Sequence, residues 1–232
     1  MALSASFKRV LRKIRNLILL LVVLQFVYII ALKWIDPPIT LTQLGSWLQG
    51  YGLSRDYVSK ENISPQARLA VMASEDQLFP DHDGFDWKSI KKAMKHNQRK
   101  PKRVRGASTI SQQVAKNVFL WQGRSWVRKG LEAYFTFMIE KVWGKERILE
   151  IYLNVAEMGK GVFGIEAASR YYYKKSAKKI NRREAAQIAA ILPHPKKYLI
   201  KPLSNYVSRR ASFIEVQMNY LEGDPDIAAL LK

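Results

Sequence analysis

The segment from Leu17 to Leu32 is an apolar run interrupted only by Gln25, and it constrains the chain more than any other stretch. Continued through Lys33 and Trp34 to Ile35 it has 19 residues, about 28 Å as a helix, which nearly spans the hydrocarbon core of a bilayer. Lys8, Arg9, Arg12, Lys13 and Arg15 precede it without an acidic residue, whereas Lys33 and Asp36 follow it. Basic flanks stay on the cytoplasmic side. Residues 1–16 are therefore expected as a cytoplasmic basic tail, 17–35 as a single transmembrane anchor of the cytoplasmic (inner) membrane, and the remainder on its periplasmic or outer side. A cleavable signal would end in small residues, but this run ends Ala31-Leu32-Lys33-Trp34-Ile35, which favours a retained anchor.

The 232 residues leave room for one sizeable domain behind that anchor,. A formal net charge of +20 points to anionic partners: nucleic acid, lipid headgroups or phosphate-bearing substrates. The absence of cysteine excludes disulfides, thiolate catalysis and cysteine-ligated metal,. Asp36-Pro37-Pro38 stops the anchor, and 36–62 reads as a linker with one weakly amphipathic piece around Leu41 to Leu48. The catalytic domain is expected over 63–232. Ser64-Pro65 marks a helix start that delivers Glu75 at the helix end. Lys88 to Arg105 holds nine Lys or Arg and no acid, which reads as a solvated, mobile basic connection. Further helices are expected from Ser108 to Phe119 and from Trp126 to Trp143. The second of these carries Leu131, Tyr134, Phe135, Met138 and Val142 as a core stripe. Ile148, Leu149, Tyr152 and Leu153 form another stripe. Asn181 with Glu184 resembles a capping box, and Val207, Ala211, Ile214, Met218 and Leu221 repeat at helical spacing. With few alternating patterns, the domain is expected to be mainly α.

Four blocks concentrate acids, bases and amides. The first runs from Glu75-Asp76-Gln77-Leu78-Phe79 through His82 to Gly84. The second is Arg105-Gly106-Ala107-Ser108-Thr109-Ile110-Ser111-Gln112-Gln113-Val114-Ala115-Lys116-Asn117. The third is Arg128-Lys129-Gly130-Leu131-Glu132, continued by Lys145 to Asn154. The fourth is Gly161-Val162-Phe163-Gly164, continued to Tyr172. Each has a bland reading: Glu75-Asp76 as a solvated helix end, Glu132 as an ordinary four-residue pair with Arg128, Gln112-Gln113 as a polar helix face.

Together these blocks resemble the signature blocks of the peptidoglycan glycosyltransferases, in particular the monofunctional biosynthetic transglycosylases, over roughly Ile63 to Tyr198. Ala107 and Ser111 stand where many members carry Gly and Thr, and Tyr172 where Phe is common. The resemblance implies a lysozyme-like helical lobe with a smaller membrane-facing lobe. It implies an inverting polymerisation of lipid II, with Glu75 as general base on the acceptor's 4-hydroxyl and polyprenyl pyrophosphate leaving. Its second essential carboxylate falls on Glu132, expected to orient substrate and to hold cationic side chains or a divalent ion (Mg or Mn); no other cofactor is expected. Lys116, Arg128 and Lys129 would meet the pyrophosphate, with Ser108, Thr109, Gln112, Gln113 and Asn117 as neutral donors. Asp76, Phe79 and His82 would shape the cleft. Expected partners are lipid II, the growing lipid-linked chain, the anionic membrane and other wall-synthesis or division proteins, with no nucleic acid.

The chemistry of such a reaction agrees with these residue types. A sugar hydroxyl must lose a proton and a departing pyrophosphate must be neutralised, which calls for a carboxylate and clustered cations. A wall-cleaving glycosidase and a membrane-tethered nucleic-acid-binding protein are the competing readings. Gly159-Lys160-Gly161-Val162-Phe163-Gly164 satisfies the dinucleotide pattern but follows a helical segment instead of a strand, so it reads as a loop. Val118 to Trp121 and Trp126-Val127 have the composition of a segment that dips into headgroups, or of a buried patch.

Overall fold

The computed structural model describes residues 5–101, 104–123 and 125–232. Helix α1, Ala5–Ala31, has 27 residues and over Phe7–Ala31 is long and apolar enough to cross a membrane. Its limits differ from the expected tail and anchor. The basic residues between Phe7 and Asn16 are part of the same helix, consistent with the good helix propensity of Lys and Arg. The helix ends at Ala31, where Lys33 N–H bonds to Ile30 O at 3.1 Å in a tightened last turn,. Residues 1–4 of the expected tail lie outside the described residues. The chain divides into a unit ending at Asp36 and a second unit, Pro37–Lys232.

The second unit takes in the stretch read as a linker. Thr40 caps α2, Leu41–Leu48, with a reciprocal box: its hydroxyl accepts Gln43 N–H at 3.2 Å, while Gln43 Oε1 accepts Thr40 N–H at 3.0 Å. Strand β1, Ser54–Arg55, pairs in parallel with β3, Val162–Phe163, which pairs antiparallel with β2, Glu157–Gly159. The glycine-rich pattern is thus a hairpin. Gly161 has φ +71, and a Cβ there would lie 2.1 Å from Tyr51 O, so the 50–52 segment closes over it,.

Two groups of helices make the body. Helices α3, Pro65–Glu75, α9, Arg182–Ile191, and α10, Asn205–Leu221, pack on one another, and α11, Pro225–Leu231, packs on α3. Ala185, Ala186, Ala189 and Ala190 are buried on α9; small side chains allow such close approach. The second group is α5, Ile110–Phe119, against α6, Trp126–Val142, and α7, Lys145–Val155, with α2 on α5. Helix α8, Ile165–Tyr173, follows the hairpin, and Tyr172 Oη donates to Met158 O at 3.1 Å. The expected capping box at Asn181 and Glu184 is present, as are the buried stripe on α7 and, from Val207 to Met218 but not at Leu221, the stripe on α10.

Three expectations change. The basic stretch is not an irregular connection: α4, Trp87–Arg99, is capped by Asp86, and Asn97 then holds the backbone of Arg105 through bonds of 2.7 and 3.0 Å. Lys102 and Arg103 lie outside the described residues. The buried face of α6 is Arg128, Glu132, Phe135, Thr136 and Ile139, while Leu131 and Tyr134 of the expected core stripe are exposed. A buried ion pair occupies the face that an apolar pattern would have claimed. Val118 and Leu120 are buried, leaving Trp121, Trp126 and Val127 as the exposed apolar side chains of that neighbourhood.

Candidate active site

Ser64 Oγ accepts the Gln66 N–H at 3.2 Å and Pro65 sits in the first turn of α3, so the helix begins where sequence placed its start,. Its last residue is Glu75. Glu75 lines a cavity of about 700 Å³ together with Ser74, Asp86, Ser108, Gln113 and Pro193. Gln113 Nε2 donates to Glu75 Oε2 at 2.8 Å, and Ser74 Oγ lies 3.3 Å from Oε1. Burial pushes the Glu75 carboxyl above its ordinary value, while the bonds from Gln113 and Ser74 and the charge of Arg210 oppose the rise,. Such a carboxyl can exchange a proton nearer neutrality than a solvated one.

Asp76, the next residue, faces inward instead. Its Oδ2 accepts the N–H of Ile110 at 3.0 Å and both oxygens meet His82 Nε2 at 3.1 Å. It thereby ties the end of α3 to the start of α5. Thr109 caps α5 in a reciprocal box with Gln112, and its hydroxyl donates to Gly84 O at 2.7 Å. Asp76, Thr109 and Gln112 are buried, and Phe79 is fully so. Phe79 lies under the Lys145 ammonium, 4.6 Å from its ring centroid. These residues and His82 build the frame that sets α3 against α5. Asp76 and Thr109 also form part of the lining around Glu75. Phe79 and His82 do not reach it.

One turn beyond Gln113 stands Lys116, beside a second cavity of about 460 Å³ that Ser108, Gln112, Gln113, Arg128, Lys129 and Glu132 share. Glu132 Oε2 accepts from Arg128 Nη1 at 2.7 Å, and Lys129 Nζ bonds to Oε1. The four-residue pair of Arg128 and Glu132 is real, and it is buried. Burial lowers Lys116 below the ordinary lysine range, with Arg128 and Lys129 pushing the same way and Glu132 opposing. Three cations around one carboxylate leave two positive charges. A third cavity, about 640 Å³, adjoins along α2, where Lys116, Asn117, Trp121, Tyr152, Glu157 and Lys196 contribute. Gln113 lines all three.

A proton-accepting carboxyl thus shares one amide side chain with a cationic pocket, an arrangement suited to moving a group away from an anionic leaving group. The model of the transglycosylase family matches residues 42–219. The chain belongs to that family. It is 55% identical over 186 residues to the biosynthetic peptidoglycan transglycosylases of Escherichia coli and of Shigella boydii serotype 4, covering 79% of this chain and 77% of each relative. The mainly helical body is the lysozyme-like transglycosylase lobe.

In the transglycosylase pocket the Glu132 carboxylate is held by its cationic neighbours. Both carboxylate oxygens are bound by cations, and among the described residues no group of three or more His, Asp or Glu side chains is placed to hold a metal,. Sequence reasoning missed Tyr152, whose hydroxyl lies 3.3 Å from Gln113 Oε1. It stood inside an apolar stripe, and no local signal distinguishes a ring hydroxyl that finds a partner from one that is only packed. Arg210 was missed as well, since its influence on Glu75 arrives through the packing of α10 on α3.

Proposed function

We propose that the chain is a peptidoglycan glycosyltransferase that polymerises lipid II into β-1,4-linked glycan strands. Glu75 takes the proton from the acceptor's 4-hydroxyl. The freed oxygen attacks the anomeric carbon of the lipid-linked donor with inversion, and the carbon–oxygen bond to the pyrophosphate breaks with its electron pair leaving on the phosphate. Lys116, Arg128 and Lys129 receive that developing charge, and Glu132 holds Arg128 and Lys129 in place. Ser108 and Asn117 serve as neutral donors to phosphate or sugar. The pyrophosphate bond supplies the driving force, so no nucleotide takes part.

One observation carries this reading: the part-buried carboxyl of Glu75 and the cationic pocket of Lys116, Arg128 and Lys129 are joined through Gln113. A hydrolase has no pyrophosphate to neutralise, and it would gain nothing from that pocket. Helix α1 serves as a single-pass anchor with its amino terminus in the cytoplasm and the catalytic unit outside,. The basic face of α4 and the exposed Trp121, Trp126 and Val127 meet anionic headgroups,. Such a surface accounts for the net charge without nucleic acid.

The test supplies the purified full-length chain with lipid II in one reaction and with finished glycan in another. Polymer from the first and no cleavage in the second is the expected result. Cleavage of finished glycan without polymerisation overturns the proposal in favour of a glycosidase.

A further inference from the structure

Gln113 has one amide, and the bond at 2.8 Å commits its nitrogen side to Glu75, because an ionised carboxylate can only accept,. Its oxygen side then faces Tyr152 Oη at 3.3 Å. Were the amide reversed, its oxygen would point at the carboxylate oxygen and its NH2 at the phenol. The phenol hydroxyl can donate or accept, so it tolerates either orientation less selectively than the carboxylate does, but a donated O–H rewards the orientation seen. Tyr152 is buried to 1% exposure on α7, between Ile151 and Leu153, which are themselves fully buried. Its ring has no freedom to swing away. Burial and the nearby acidic groups, Glu75 and Asp76, raise the phenol well above its ordinary range, so it stays a hydroxyl wherever the enzyme works,.

Resting on Glu75 as the general base, we infer that Tyr152 is a positioning residue: its hydroxyl sets the amide of Gln113 so that Nε2 stays on the Glu75 carboxylate. The tyrosine touches no reacting atom and acts through Gln113 alone. It fixes how firmly the ionised form of the base is held in a site whose burial works against that form. The other groups that act on Glu75 come from separate elements. Asp76 follows it at the end of α3 and Lys116 lies on α5, while Arg210 and Tyr206 lie on α10. None of these contacts the amide oxygen of Gln113 through a bond that replaces the phenol's. One N–H of the Gln113 amide is thereby committed to the carboxylate, and the second N–H is left as a donor,.

The experiment reads Glu75 directly. The full-length chain, labelled with carboxyl carbon-13 glutamate in detergent micelles, is titrated by NMR, with the Glu75 resonance assigned by its loss in Glu75→Gln. Tyr152→Phe removes one oxygen and keeps the ring, and it should move the Glu75 midpoint upward by about one pH unit. Gln113→Leu should move it at least as far, and the double variant no further than Gln113→Leu alone. A midpoint unchanged in Tyr152→Phe overturns the inference, as does a double variant whose shift is the sum of the two. Polymerisation of lipid II by the same wild-type preparation is a separate readout, so failure of the glycosyltransferase reading would be seen independently of failure of the Tyr152 assignment.

Discussion

Asp76→Ala isolates the tie between α3 and α5. The Asp76 side chain is 4% exposed; its carboxylate accepts the Ile110 N–H at 3.0 Å and faces His82 Nε2 at 3.1 Å. A hydrogen bond to a charged group contributes about 1.5–3 kcal/mol, and losing two partners at the lower end of that range costs about 3 kcal/mol. Water entering the space left behind offsets part of any larger figure. For a unit of this size each kcal/mol lowers Tm by about 2–4 °C, so the variant should melt about 6–12 °C lower. Asp76→Asn keeps one acceptor oxygen and should lose roughly half as much. Thermal unfolding followed by circular dichroism, in the same detergent for all three chains, measures this. The start of α5 also positions Gln113 and Lys116, so kcat should fall with Tm in both variants. A decrease below about 2 °C in Asp76→Ala would refute the claim that this carboxylate joins the two helices.

The folded Glu75 carboxyl lies above its ordinary value of 4.5 because of burial. As pH rises from 4.5 towards the folded value the native state binds more protons than the unfolded chain, and wild-type stability declines across that window. The Tm advantage of Glu75→Gln should widen as pH climbs through it; an advantage that narrows contradicts the assignment. Lys116 lies below its ordinary 10.5, again through burial, so its cation is lost as pH rises through that lowered value. The alkaline limb of lipid II polymerisation should move to higher pH in Lys116→Arg, and an unmoved limb assigns it to another group. Gly161→Ala would place a Cβ 2.1 Å from Tyr51 O at a φ of +71. It should destabilise the chain by at least about 2 kcal/mol in denaturant titration, and a loss under about 0.5 kcal/mol would show that the hairpin yields at little cost.

What sequence could convey here depended on whether a signal was local. Ser64-Pro65 and the Asn181–Glu184 box act within one turn, and both mark the helix starts seen. The α7 stripe was equally local. The Thr40–Gln43 box has the same form, yet the prolines and polar residues around it give the region the composition of a linker. On α6 the pattern misled for a physical reason: the face turned inward carries Arg128 and Glu132, so counting apolar residues selects the exposed side. The site divided along the same line. The resemblance to the family's signature blocks marked Glu75, Lys116, Arg128, Lys129 and Glu132, which the fold brings around linked cavities. Asp76 caps a helix 34 positions away, and Tyr152 meets an amide 39 positions away. Such pairings exist only after the chain has folded, and no periodicity announces them.

Polymerisation requires an ionisable group at Glu75. Purified wild-type chain and Glu75→Gln, matched for folding by circular dichroism, are each given lipid II, and the glycan formed is resolved by length. Polymer from the wild type and none above background from the amide variant is the predicted result. Strands made by Glu75→Gln at the wild-type rate would contradict it.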